Sequence, residues 1–205
     1  MYRIGALLIG YLLGGIQSAI VYGRLKGVDI RSEGSGNAGT TNTIRVMGKK
    51  AGVVVLLVDI FKAVLAIYLA RLLLGGNSET NILVSLYSGI GAILGHSYPL
   101  FFGFKGGKGI ATTAGTLIGI DIKLFLIAAV IFLVVFGITK IVSLSSLIMT
   151  ASIPIFIIIF YAGKGATGIE ATILALAITA FTFYRHKANI KRLINGEESR
   201  LVSKK

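Results

Sequence analysis

AGVVVLLVDIFKAVLAIYLARLLL (51–74) decides the fold. It runs past the roughly 20 apolar residues that a helix needs to cross a hydrocarbon core. Before Arg71, near its end, only Asp59 and Lys62 interrupt it. These charges stand three apart, on one helical face, and unpaired charges at that depth are expensive. The stretch therefore predicts a membrane helix in which Asp59 and Lys62 pair with each other toward a bundle interior. A structural pair is favoured over a catalytic carboxylate.

Outward from this span, further apolar stretches cover 4–22, 81 to about 102, 122–138, 144–161 and 169–184. A shorter, weaker segment, 110–120, reads as a half-depth helix that still crosses, because the loops after it otherwise change sides and the charge bias is lost. Composition agrees: 205 residues are 55% hydrophobic and 14% charged, with mean hydropathy +0.86, against roughly 25% charged in globular domains. The prediction is an all-α, polytopic integral membrane helix bundle of seven spans, one membrane domain over 1–205. Polar stretches 23–50, 103–110 and 139–145 and an amphipathic, surface-lying tail 185–205 share one side. The opening apolar run carries one Arg and no small-residue cleavage site, so it reads as a retained span, not a signal peptide.

Of the 21 Lys and Arg residues, Arg3, Arg71, Lys123 and Lys164 lie on one side and Lys62 lies within the membrane. All the others lie on the opposite side. The positive-inside rule then puts the N-terminus outside and the C-terminus in the cytoplasm. A net charge of +13 in a soluble chain would point to nucleic acid. Beside a bilayer it means orientation and attraction to anionic lipid or lipid phosphate, and no nucleic-acid partner is expected. The absence of cysteine removes disulfides, thiolate nucleophiles and Cys-type metal sites. Small-residue steps at Gly10–Gly14, Gly91–Gly95 and Gly115–Gly119 suit close helix packing, or else space for an acyl chain.

The basic side also carries the clusters suited to chemistry. In GSGNAGTTN (34–42) the glycines allow positive φ, and Ser, Asn and Thr add small donors. Opening a helix, such a stretch forms an anion nest, and Arg45, one turn after Thr41, adds a bidentate grip. The plain alternative is a flexible polar loop. FKGGKG (104–109) sets Lys105 and Lys108 among glycines, yet no Ser or Thr follows Lys108 and no strand precedes it, so it is not a P-loop. His96, just upstream, is more simply a hydrogen-bonding residue than a catalyst. In SLSS (143–146), Ser143 and Ser145 sit at a helix start, where an N-cap explains at least one. In the tail, His186, Asn189 and Arg192 share one helical face, which also suits a basic helix lying on anionic lipid.

Carboxylates are scarce on this side. No Asp pair offers itself to Mg²⁺, which argues against alcohol phosphatidyltransfer and kinase chemistry. Neither His96 nor His186 has Asp five residues on, and GxSxG is absent. Two phosphate-bearing substrates would bring roughly three to four negative charges, matched by Arg45, Lys105, Lys108 and loop amides. A site with no evident base or thiol wants an activated donor, and an acyl phosphate is one.

GSGNAGTTN, GHSYPLFFGFKGGKGIAT (95–112), SLSS and RHKANIKRLINGEE (185–198) together resemble the acyl-phosphate-dependent glycerol-3-phosphate acyltransferases, the PlsY family of bacterial plasma membranes. The resemblance spans essentially the whole chain, with the motifs in matching order. Only Gly196-Glu197-Glu198 departs, where Gly-Thr-Glu is common. It implies a seven-helix bundle with its site at the cytoplasmic face. It implies transfer of a fatty acyl group from long-chain acyl phosphate to the sn-1 hydroxyl of glycerol 3-phosphate, giving lysophosphatidate and phosphate in membrane lipid, with no cofactor or metal. By that resemblance Ser35, Asn37 and Asn42 line a phosphate site and Arg45 clamps a phosphate. Lys105 and Ser143 hold glycerol 3-phosphate with His186 and Asn189, and Lys108 and His96 contribute. Ser35, Arg45, Lys105, His186 and Asn189 form the expected catalytic set; Thr41 and Ser145 join the substrate contacts. Direct attack without an acyl-enzyme is expected, with Ser35 Oγ stabilising the oxyanion. The rival readings are a transporter or flippase of a phosphorylated metabolite, a lipid-binding scaffold, and an acyltransferase using acyl-CoA.

Overall fold

In lipid only internally bonded backbone is stable, and helices meet this demand with their own N–H to C=O bonds; small residues then set how closely they pack. A computed structural model describes residues 1–201; the last four residues of the basic tail, 202–205, lie outside them. The helices are α1 (Tyr2–Gly14), α2 (Ser18–Leu25), α3 (Thr40–Leu74), α4 (Ser78–Ser97), α5 (Ile110–Ile120), α6 (Ile122–Thr139), α7 (Val142–Tyr161), α8 (Gly165–Arg185) and α9 (Lys187–Ile194). Among the described residues there is no strand. The stretches Tyr2–Leu25, Thr40–Leu74, Ile122–Thr139 and Val142–Arg185 are long and apolar enough to cross a membrane. The last holds two helices, α7 and α8, packed on each other across the 3-10 turn Ala162–Lys164. Polar residues dilute α4, which is largely buried.

The chain divides into two compact units, Met1–Asp121 and a second beginning at Ile122. In the first, α1 packs on α4, and α3 packs on α1, α4 and α5. Glycine makes the approach possible. A Cβ on Gly10 or Gly14 would strike the backbone of Ser88 or Ala92, and one on Gly91 or Gly95 the backbone of Leu7 or Tyr11. Gly115 lies equally close to the carbonyl of Ile60. The small-residue steps thus pack helices, as read from the sequence.

In the second unit α7 packs on both α6 and α8. Pro154 lies inside α7 and has no N–H for the carbonyl four residues earlier, that of Thr150. Thr179 Oγ1 on α8 lies 3.0 Å from that carbonyl and 3.0 Å from the Ala175 carbonyl of its own helix, and shares its one proton between them. Other hydroxyls bond back within their own helix, such as Ser146 to the Val142 carbonyl and Thr150 to that of Ser146, at 2.8 and 2.7 Å.

Several boundaries differ from expectation. The first apolar stretch is broken at 15–17 rather than continuous. Residues 23–50 are not loop throughout: α3 opens at Thr40 and absorbs Arg45, Lys49 and Lys50, with a non-helical Gly48 at φ 85°. The 139–145 break shrinks to the residues between Thr139 and Val142. Ile141, not a serine, stands at the α7 N-cap, and Ser145 Oγ donates back to the Ile141 carbonyl at 2.8 Å. His186 is the joint between α8 and α9 and stands at the N-cap of the short helix that carries Asn189 and Arg192.

Candidate functional site

The first glycine-rich stretch folds around one amide. Asn42, 1% exposed, accepts the Ser35 N–H at Oδ1 (2.8 Å) and donates through Nδ2 to the Ile30 and Glu33 carbonyls (both 3.0 Å). Both halves of its side chain therefore hold the loop. Gly34 has φ 57°, and a Cβ there would overlap Asn42 Oδ1, so the turn requires glycine. Ala38 anchors the loop in an apolar cluster with Ala19, Ile20, Ile30 and Val55. Gly39 then caps α3 with no side-chain hydrogen bond to its first amides. Ser35 is exposed, Asn37 and Thr41 are partly buried, and Arg45 is exposed one turn into the helix.

The second stretch docks on the end of α4. Gly106 N–H donates to the Ser97 carbonyl (3.2 Å) and Gly107 N–H to the His96 carbonyl (3.1 Å). A Cβ on Gly107 would overlap His96 Nε2 and come within 2.8 Å of the Ala38 carbonyl. Gly107 therefore lies between the His96 ring and the first loop, and the two glycine-rich loops meet there. Lys105 is exposed and Lys108 partly buried.

Two further cations brace this corner. Arg31 donates to both Asp29 oxygens, 3.0 and 2.9 Å, and to the Phe102 carbonyl at 3.3 Å. The guanidinium of Arg31 and its N–H hold the Asp29 carboxyl down at about 2. Arg24 lies 5.6 Å from the Phe102 ring centre.

Beneath the loops is a buried charged cluster. Lys62 Nζ reaches Asp59 Oδ1 (2.7 Å), the Ile16 carbonyl (2.6 Å) and His96 Nδ1 (2.9 Å). Ser18 Oγ donates to Asp59 at 2.8 Å. The expected Asp59–Lys62 pair is present and reaches further than sequence spacing indicated. Gln17 and Ser18 were missed; the only signal was polarity just after Gly14-Gly15 in an apolar run.

In the second unit, Ser143 Oγ and Asn189 Nδ2 both donate to Glu198 Oε1, at 2.7 and 2.6 Å, and Arg192 Nε to Oε2 at 2.6 Å. Gly196, at φ 71°, ends α9 and turns the chain back. Burial pushes the Glu198 carboxyl up, but the bonds from Asn189, Ser143 and Arg192 outweigh it and its pKa lies below the ordinary value. From sequence, Glu198 is one of the few carboxylates on the basic side and the end of the tail motif, with no partner assigned. His186 Nδ1 lies 2.8 Å from the Thr182 carbonyl. Ser145 is fully buried and its hydroxyl bonds within α7.

Comparison with known proteins places these features in context. A family model described as Glycerol-3-phosphate acyltransferase matches residues 4–196. A protein of Enterococcus faecalis named glycerol-3-phosphate acyltransferase is 45% identical over 200 residues, covering 95% of this chain and 90% of its own. One of Aquifex aeolicus with the same name is 40% identical over 200 residues, 98% of this chain and 100% of its own. The crystal structure of PlsY, an integral membrane glycerol 3-phosphate acyltransferase, in its glycerol 3-phosphate form superposes with TM-score 0.86 at 37% identity, covering 98% of this chain and 96% of that one. The lysophosphatidic acid form gives 0.84 at 35% identity, with the same coverage.

Proposed function

This chain belongs to the glycerol-3-phosphate acyltransferase family and is a bacterial integral membrane acyltransferase, and from that premise we propose its donor, its site and its mechanism. The donor is a long-chain acyl phosphate, the acceptor is the sn-1 hydroxyl of glycerol 3-phosphate, and the products are lysophosphatidate and phosphate. Membership of an acyltransferase family displaces the transporter and scaffold readings. The bundle is one membrane domain crossing seven times, N-terminus outside, with the reaction at the cytoplasmic face of the plasma membrane.

One observation supports the site: Gly107 seats the FKGGKG loop against Ala38 of the first loop, and we read Arg45, Lys105 and Lys108 as grouped there near the opening of α3. Their charge compensates the two phosphates without a metal ion. The acceptor hydroxyl attacks the acyl carbonyl carbon, the bond from that carbon to the phosphate oxygen breaks, and inorganic phosphate leaves. A substrate phosphate, with second pKa near 6, takes the hydroxyl proton. Ser35 Oγ and neighbouring amides stabilise the oxyanion, and Asn42 supports this by pinning the Ser35 backbone. Asn37, Thr41 and His96 join the binding set. Ser143, Ser145, His186 and Asn189 enter it on the family resemblance alone.

The test is purified enzyme with palmitoyl phosphate and glycerol 3-phosphate, measuring phosphate release, with palmitoyl-CoA in parallel. Turnover with the CoA thioester alone overturns the donor assignment. Arg45→Ala and Lys105→Ala are expected to lower kcat/KM at least about 100-fold, in line with loss of a charge-stabilising donor, with Tm unchanged. Trapping an acylated Ser35 would defeat direct attack.

A further inference from the structure

We propose that Asp59 and Lys62, deep in α3, are positioning residues that act through His96 to hold the FKGGKG loop in its phosphate-binding arrangement; this rests on the reading of Lys105 and Lys108 as phosphate ligands. A charged pair inside a membrane helix is conspicuous, because apolar residues of similar volume would pack there without the penalty of desolvating two ions. Both are almost fully buried, at 1% and 3% exposure. Their partners show what the pair does.

The Lys62 ammonium has three N–H groups and no acceptor. It has three partners: Asp59 Oδ1, the Ile16 carbonyl that the break between α1 and α2 leaves outside either helix, and His96 Nδ1. With Lys62 as the donor, His96 Nδ1 is the acceptor, and this hydrogen-bond pattern assigns the ring proton to Nε2. Asp59, 3.6 Å from Nδ1, is beyond hydrogen-bond range of the ring; it holds Lys62 and is itself held by Ser18. Ring orientation and tautomer are both set from inside the membrane.

Nε2 is the atom against which Gly107 packs. The same residue's carbonyl accepts Gly107 N–H and, at 3.1 Å, Gln17 Nε2. His96 therefore touches the loop by ring and backbone, between Lys105 and Lys108. A shift of the ring moves Gly107 and the cations flanking it.

The experiment compares Lys62→Met, the charge-free pair Asp59→Asn/Lys62→Met, and Lys62→Arg with wild type, all purified in detergent. It reads kcat, KM for each substrate, Tm, and amide hydrogen exchange of the 103–109 peptide. Lys62→Met and the double variant are expected to raise KM for glycerol 3-phosphate about tenfold or more, the effect typical of removing a supporting shell. KM for acyl phosphate and kcat stay within about threefold, exchange at 103–109 quickens, and Lys62→Arg restores most of the affinity. The double variant leaves no lone buried charge, so a folding defect confined to Lys62→Met does not decide the matter. Unchanged KM and exchange in the folded double variant overturn the proposal, as does failure of both variants to fold, which would make the cluster a scaffold only. If wild type ignores acyl phosphate, the donor reading falls; the exchange data and binding of glycerol 3-phosphate alone still decide this one.

Discussion

Asn42 uses its whole amide on the loop before it, so Asn42→Ala would strand one N–H and two carbonyls together. The expected loss is about 1–3 kcal/mol of stability, the size of an unmet buried polar group, with a raised KM for glycerol 3-phosphate. Thermal unfolding and steady-state kinetics check both. Glu198 makes a pH-dependent claim. Its pKa is lowered in the folded protein, so its stabilisation is present above the ordinary glutamate range and is lost as pH falls through the lowered value. Glu198→Gln is therefore expected to melt below wild type near pH 7, and the gap is expected to close once the pH falls past the lowered carboxyl pKa. A gap that persists in acid would show that the carboxylate charge is not what Ser143, Asn189 and Arg192 hold.

Pro154, Thr150 and Thr179 show how elements depend on one another. Thr179→Val removes the donor that satisfies the carbonyl freed by Pro154, and about 1 kcal/mol of destabilisation is expected. In a Pro154→Ala background α7 supplies its own N–H, so the same change should be nearly neutral, a coupling that a double-mutant cycle measures. Such a partnership is not legible from spacing, because the two residues lie on different helices. What was legible had local causes. The bounds of α5 follow from glycine before it and Asp121 after it, and the Asp59–Lys62 pair follows from helical periodicity. The start of α3 was hidden by Arg45, Lys49 and Lys50, which look like loop composition but tolerate an exposed helix surface well. The serines of 143–146 looked like caps because their type favours caps, yet α7 begins two residues earlier than their spacing implied.

For the molecule as a whole, the chain has no cysteine, so single cysteines report sidedness without background. Lys49→Cys and Lys187→Cys are expected to react with an impermeant maleimide only from the cytoplasmic side of membrane vesicles, Asn77→Cys and Lys164→Cys only from the other. Matching labels for residues 49 and 77 would overturn the seven-crossing orientation. Motif order set the two glycine-rich loops in the family pattern, but their meeting at Gly107 was not legible, because His96 and Ala38 are far apart in sequence. The glycine faces joining α1 to α4 also set a timetable. During synthesis α1 leaves the ribosome with its notches facing lipid, and roughly 80 more residues must be made before α4 can fill them, several seconds at about 5–20 residues per second. A bulky side chain at Gly10 would pass unnoticed through insertion and be exposed as a fault only when the fourth helix arrives, leaving a threaded but unassembled chain for membrane proteases to clear.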